Sequence, residues 1–584
     1  MNKNIYFILF TIIFIHVLFF TYFINTSPLV GDGPIHMNII ESNYEKGYLN
    51  FNVPNLKGNF GFPRYIDGYP VCYPQLYYVF GTIIYPFFQH NTIYIIDFIL
   101  TSLLILVSFL LAKILFSDEI SLIFATLIGI TPGLVYSEGN HNFMLLFNGI
   151  LSLYFLLLFY KYLKISYLFL FVLAIIFTAG VKQFSYLYIF ALIFGTTIYC
   201  VLKKEFNKLK FFYIGILIAI VFWLPIFIFQ IYTTGTISTP AIKGWSILDT
   251  HLFKPKYMEI PKWQLEIDKI VNIEELNTKG AIRYYQVNNK YLSLISSPFE
   301  YINQFFNINT ISLLPKGYRD SITLYFFIIF LILGVVLFLF QKNIIVSNSN
   351  HKKFSIKENK SIYLYFRILC FMIFLLGVPV IVLTSKVKYY LFYAFLGSLF
   401  IIIGINYFKN NKKLLIFIFF IMINLLIIYS SHELIYLKRF LNDTYMRGNI
   451  PGGYKSLIEV SKWIKDNTKE NDLILAGNTQ DLPYYTKRNF FWDYRLFFLN
   501  ESQLLYYLQF YPNLKYIIIC KNQLATNFTN WVIVPLESVF LKMLNSNEIF
   551  KKVYDKNDIY IYELNIDLLK KKARKKYEND TDSF

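Results

Sequence analysis

"SPLVGDGPIHMNIIESNYEKGYL", residues 27–49, stands directly after the first strongly apolar run of the chain. Asp32 lies there between Gly31 and Gly33, with Pro34 and then His36 following. The glycines leave the backbone free to turn tightly. Ile35, Ile39 and Ile40 fall on one helical face, so the stretch reads as a surface helix with Asp32 near its N-terminal end. Helix N-termini favour carboxylates as caps, and one reading of Asp32 is therefore purely structural. The rest of the chain supplies another.

Of the 584 residues, 56% are hydrophobic and only 16% charged. Many apolar runs approach twenty residues, the length needed to cross about 30 Å of hydrocarbon. The first, Ile5 to Ile24, lacks the short core and small-residue cleavage site of a signal peptide and reads as a retained span. Others lie near 93–116, 120–137, 143–163, 165–181, 184–202, 211–232, 321–341, 362–384, 389–408 and 414–431. The fold class is an α-helical polytopic membrane protein with about eleven transmembrane helices. The 62 Phe and 49 Tyr come with abundant Ile, Asn and Lys, a bias that an AT-rich genome produces as readily as any physical need, so no single aromatic carries weight.

The formal charge of +19 does not point to nucleic acid, because most of it lies in short loops between apolar runs. With the N-terminus inside, the cytoplasmic loops are Lys161 to Lys164, 203–210, 341–360 and 409–413. Opposite them lie 26–92, 233–320 and everything after about 432. The stretch "YPQLYYVFGTIIYPFF" (73–88) is short and has Pro near both ends; counted as a span it would invert every later loop, so it reads as an interfacial helix. The domain plan is a transmembrane region 1–431, an extracytoplasmic α/β domain 432–566 and a basic, disordered tail 567–584. In the α/β domain, Leu457, Ile458, Val460, Trp463 and Ile464 have helical spacing. "DLILAG", "LKYIIIC" and "KNDIYIYEL" read as strands. Cys72, Cys200, Cys370 and Cys520 are far apart and form no CxxC, so neither a disulfide framework nor a zinc site is expected.

This layout resembles the C-fold (GT-C) glycosyltransferases, integral membrane enzymes that use polyprenyl-phosphate-linked sugars. The resemblance rests on a first span followed by "GDGPIHMNIIESNYEKGYL", and on "GFPRYIDGYPVCYPQLYYVFG" (61–81), where relatives carry a Pro-Pro-hydrophobic-Tyr motif before an interfacial helix. A second outer loop, "SEGNHNFMLL" (137–146), the "FWLPIF" span at 222–227 and a closing outer α/β domain complete it. The patterns look closest to the protein mannosyltransferase-like and aminoarabinose transferase-like branch, and they cover most of the first 430 residues.

The resemblance implies an enzyme that moves a sugar from a polyprenyl- or dolichyl-phosphate donor to a lipid, glycan or protein acceptor outside the cell membrane. In that family an Asp of the first outer loop is the catalytic base, and Asp32 matches it. A carboxylate there takes the acceptor proton as the glycosidic bond breaks, and it favours an oxocarbenium-like centre electrostatically. Relatives often carry an acid in the second outer loop; Glu138 is the candidate, with Asn140 and His141 beside it, although Glu138 also reads as a solvated span end. Asp118 and Glu119 fall on the inner side and are rejected.

The departing phosphate needs cations. Lys182 in "TAGVKQFSY" and Lys386 and Lys388 in "TSKVKYYLF" break the positive-inside pattern on the Asp32 side. They read either as phosphate-binding point charges or as interfacial snorkels. Arg64 in the first loop is a fourth candidate; relatives often place a basic residue directly before the Pro-Pro motif, whereas this chain reads "VCYPQLYY", so whether Arg64 or another residue substitutes is open. Tyr73 and Tyr77 of that stretch join His36, His141 and Asn140 as substrate-loop candidates. His36 could ligate a metal, bond Asp32 or pack against a neighbouring helix. The wider superfamily includes oligosaccharyltransferases that use a divalent cation, Mg or Mn, held by carboxylates; the nearer branch generally does not. Asp32 and Glu138 could share such an ion, with Glu41, Glu45 or Asp67 nearby, but no spacing demands it. The long loop containing "AIKGWSILDTHLFKPKYMEIPKW" (241–263) suits a lid or a structural cover. A transporter, or a non-catalytic envelope-assembly protein, is the rival reading; transporters commonly carry charges near mid-span, whereas here most spans are free of charge except near their ends, and Asp97 and Arg367 sit close to span starts.

Overall fold

The computed structural model describes residues 3–26, 33–47, 52–55, 69–70, 76–130, 142–181, 185–234, 361–373, 453–476, 481–491, 508, 513–520, 542–544 and 548–572. The described residues divide between two compact units. The expected spans at 321–341, 389–408 and 414–431 lie outside them.

The first unit holds apolar helices: α1 Lys3–Thr26, and, after α2 Gly33–Lys46, β1 Asn52–Val53 and β2 Tyr69–Pro70 of the other unit, α3 Leu76–Phe88, α4 Thr92–Leu115 and α5 Asp118–Ile130. It continues with α6 Asn142–Tyr162, α7 Ile165–Ala179, α8 Ser185–Lys203 and α9 Phe206–Thr234. A further apolar helix, α10, runs Ser361–Ile373. Among the described residues, Leu76–Leu115, Phe143–Tyr162, Ser185–Lys203 and Phe206–Pro225 are long and apolar enough to cross a membrane.

The first of these stretches is not one rod. At Gln89–Asn91 the helix tightens to a 3-10 turn, and Gln89 takes φ 45. α3 folds back on α4, so that the Tyr77 hydroxyl lies 3.5 Å from Asp97 Oδ1, 20 residues along the chain. A straight helix would hold those residues about 30 Å apart. With 13 residues, α3 is only about 20 Å long and too short to cross the hydrocarbon.

α1 runs antiparallel to α4. Near one end Lys113 Nζ donates to the Tyr6 hydroxyl at 3.0 Å; further along, His16 Nε2 meets Thr101 Oγ1 at 2.8 Å. The end defined by Lys113 also gathers the close of α6 and α8 and the start of α10. The Tyr160 and Tyr199 hydroxyls lie 3.1 Å apart, Tyr199 donates to the Ser361 carbonyl at 3.1 Å, and Tyr160 donates to Glu205 just before α9. Lys208 lies 3.9 Å from the Tyr160 ring centre. Lys161, Lys164, Lys203, Lys204 and Lys210 belong to these same helix termini and turns. Among the described residues, these lysines of the bundle therefore share one end.

Close helix packing depends on small residues, which let backbones approach where no hydrophobic force acts between helices. A Cβ on Gly195 of α8 would sit 2.9 Å from Leu369 Cδ2 and 3.4 Å from Leu369 Cα of α10. Gly195→Val is expected to cost about 1–3 kcal/mol, read as a lowered unfolding temperature in detergent; an unchanged temperature would mean that α8 and α10 do not pack here.

The second unit contains α2, β1 and β2, then α11 Gly453–Asn467, β3 Leu473–Ala476, α12 Leu482–Thr486, β4 Asn489–Phe491, β5 Leu514–Cys520, β6 Phe550–Lys556 and β7 Ile559–Leu564. Its five-stranded sheet has the order β4-β3-β5-β7-β6. β3 pairs parallel with β4 and β5, whereas β7 pairs antiparallel with β5 and β6. Leu457, Val460 and Ile464 of α11 are buried, but Ile458 is exposed. Trp463 meets the rings of Tyr516 and Tyr554 edge-on or tilted, at 5.9 and 5.6 Å.

The three expected strands are present, and the structure adds two. β4 has only three residues, too few for a periodic signal. β6, "FKKVYDK", alternates poorly between buried and exposed positions. Asn557 and Asp558 are the turn between β6 and β7, both with left-handed backbone at φ 53 and 60. The expected strand "KNDIYIYEL" thus begins later, because Asn-Asp suits a two-residue hairpin turn.

Candidate functional site

The segment that opened the sequence reading forms α2, and Asp32 immediately precedes its first residue; Asp32 itself lies outside the described residues. Pro34 suits the first turn, where its missing N–H is no loss. The expectation of a surface helix does not hold. Gly33, Pro34 and His36 through Asn43 are all buried, and Ile35 is only partly so. The polar residues explain how a mixed helix can be buried, since each buried polar group needs a partner. Asn38 Nδ2 donates to the Pro54 carbonyl at 3.0 Å. Glu41 accepts from Lys487, the residue that closes α12. The turn after β1 is joined to the sheet as well, through Phe490 N–H donating to the Asn55 carbonyl at 2.7 Å. His36 is 1% exposed.

In the helical unit, the Leu76 N–H donates to the Gly180 carbonyl at 3.2 Å, tying the start of α3 to the close of α7. Tyr77 is fully buried beside Asp97, an acid with no exposed surface one turn into α4. Buried ionisable groups in membrane helices are costly and mark functional or architectural sites. This end of the bundle is opposite the lysine-rich end. Helix alternation carries the chain out here after α1, α5, α7 and α9, which are the exits of the loops bearing Asp32, Glu138 and Lys182. Arg64, Tyr73, Glu138, Asn140, His141, Lys182, Lys386 and Lys388 lie outside the described residues. Asp118, rejected as catalytic, pairs with Lys113 at 3.1 Å at the basic end.

Sequence reasoning missed two participants. Lys487 carries no periodic or motif signal and is 446 residues from Glu41. Asp97 lies close to the start of α4, as expected, but nothing in the sequence shows that it is fully buried there beside Tyr77.

Among the described residues, no group of three or more His, Cys, Asp or Glu side chains could hold a metal ion. Glu41, one of the carboxylates considered for a shared ion, is committed to Lys487. Cys200 and Cys370 are buried free thiols. Asp32 and Glu138, the pair considered for a shared ion, lie outside the described residues.

No family model and no curated protein sequence matches the chain. Solved structures do. The crystal structure of the Archaeoglobus fulgidus oligosaccharyltransferase in complex with Zn and sulfate matches over 94% of this chain and 72% of that one, at 12% identity and a TM-score of 0.56. The archaeal oligosaccharyltransferase AglB from Archaeoglobus fulgidus, in complex with an inhibitory peptide and a dolichol-phosphate, matches over 87% and 69%, at 13% identity and a TM-score of 0.53. ArnT from Cupriavidus metallidurans, bound to undecaprenyl phosphate, is more distant, with 95% and 97% covered, 11% identity and a TM-score of 0.43. The chain shares the fold of these oligosaccharyltransferase structures, a bundle of apolar helices with a C-terminal α/β unit.

Proposed function

We propose that this chain is a membrane glycosyltransferase that moves a sugar from a polyprenyl- or dolichyl-phosphate donor to a lipid, glycan or protein acceptor. The observation that carries the reading is the GT-C fold in which the exits to the Asp32, Glu138 and Lys182 loops share one end of the bundle, away from the lysine-rich end. Positive charge marks the cytoplasmic side, so the candidate loops and the α/β domain are assigned to the outside of the cell membrane, with the N-terminus inside. α3, too short to span, is assigned to the membrane surface.

Asp32 takes the proton of the acceptor hydroxyl or amide while the bond from the anomeric carbon to the phosphate oxygen breaks and the acceptor bond forms. The electron pair of the broken bond leaves on the polyprenyl phosphate, where Lys182, Lys386, Lys388 and Arg64 stabilise the charge. Glu138, Asn140, His141, His36, Tyr73 and Tyr77 shape the substrate loops. The carrier's tail stays in the hydrocarbon throughout.

Lys182 provides a first test with purified protein in lipid nanodiscs and a panel of polyprenyl-phosphate sugars. Removing one charged contact to the phosphate costs about 1.5–3 kcal/mol, so Lys182→Ala should raise donor KM by roughly 10- to 100-fold. An unchanged KM assigns Lys182 to snorkelling. Orientation is checked in a cysteine-free background with an impermeant thiol reagent: Ser27→Cys should label from outside in intact cells and Lys164→Cys should not. The reverse pattern overturns the orientation.

A further inference from the structure

We infer that the C-terminal α/β unit positions the segment carrying Asp32, with the Lys487–Glu41 ion pair as its latch. The inference rests on the reading of Asp32 as the base, and it adds a positioning role for a residue far away in the chain.

Asp32 is followed directly by α2, so its placement depends on what holds that helix. Within the second unit α2 packs on α12, and three polar links secure the surrounding backbone. Asn38 holds the turn at Pro54, Asn55 holds β4 through Phe490, and Glu41 holds Lys487. The Glu41 side chain is only 11% exposed, whereas that of Lys487 is 41% exposed. Removing its partner would leave a largely buried carboxylate uncompensated, which is far more disruptive than losing an exposed pair.

Lys487 is an unusual choice for its place. It closes α12 with left-handed backbone at φ 55 and an N–H bond to the Pro483 carbonyl at 3.1 Å. Gly or Asn ordinarily takes that position, because a larger side chain is strained there. A lysine is accounted for by its side chain: the ammonium reaches Glu41 and also lies 4.6 Å from the centre of the Tyr484 ring. The strained residue is thus one that ties α2 to α12. A general base must be held close to its working geometry, and a displacement near 1 Å costs rate, up to about 100-fold. Asp32 therefore depends on the α/β unit for its placement.

The test uses the full chain in nanodiscs with the polyprenyl-phosphate sugar panel, measuring kcat, donor KM and amide hydrogen exchange. Lys487→Met and Glu41→Gln should each lower kcat by about 10- to 100-fold with donor KM unchanged, and should speed exchange over residues 33–46 but not over 92–115. Lys487→Arg, and the exchanged pair Glu41→Lys with Lys487→Glu, should restore most of kcat. Unchanged kcat in Lys487→Met overturns the inference. So does a loss that neither Lys487→Arg nor the exchanged pair repairs, because that is a folding defect. Asp32→Asn measured alongside keeps the two claims apart: full activity in that variant removes the base assignment, while exchange and rescue still decide the latch.

Discussion

Asp32→Asn is expected to lose sugar transfer almost entirely, with kcat falling by about 10²- to 10⁴-fold while the protein stays folded. The substitution is chosen because Asn caps a helix about as well as Asp. If Asp32 only capped α2, the variant would keep both its stability and its activity. Asn cannot accept the acceptor proton, so a proton-transfer role is lost while the cap survives. Unfolding temperature, donor KM and kcat measured together separate the two. Equal transfer by variant and wild type would move the base role to Glu138.

Ile518→Asp is expected to unfold the α/β unit and abolish transfer with it. Ile518 is 2% exposed on β5, the central strand, between Ala476 of β3 and Ile561 of β7. A lone carboxylate there has no counter-charge, a situation that costs about 3–5 kcal/mol. That is a large share of the roughly 5–15 kcal/mol that stabilises an ordinary domain. Because α2 belongs to the same unit, the base should lose its support even though the helical bundle is untouched. Limited proteolysis should cut within 453–572 and spare 92–234. Protection of both regions would show that the sheet tolerates the charge, and that β5 is not its core.

The helical bundle was legible because membrane spans advertise themselves: residues 93–116 and 143–163 correspond to α4 and α6 within a residue or two. The fold-back at Gln89 was legible indirectly, through the loop lysines that forbade another span. α11 and the strands at 473–476 and 514–520 followed from apolar periodicity. The burial of α2 was not legible. Its residues include Asn38, Glu41, Ser42 and Asn43, a composition that reads as surface until their distant partners are known. Lys487 shows the same limit, since no local pattern announces a partner that only tertiary structure brings near. β4 and β6 escaped for a different reason: sheet pairing, not their own sequence, makes them strands.

The central claim is glycosyl transfer with cleavage of the donor, and one experiment addresses it directly. A polyprenyl-phosphate sugar labelled separately in its sugar and its lipid would be supplied on the outer face of proteoliposomes, together with candidate acceptors. The account predicts that free polyprenyl phosphate accumulates while the sugar label appears on an acceptor. Passage of the doubly labelled donor across the bilayer with its glycosidic bond intact would contradict it and make the chain a transporter.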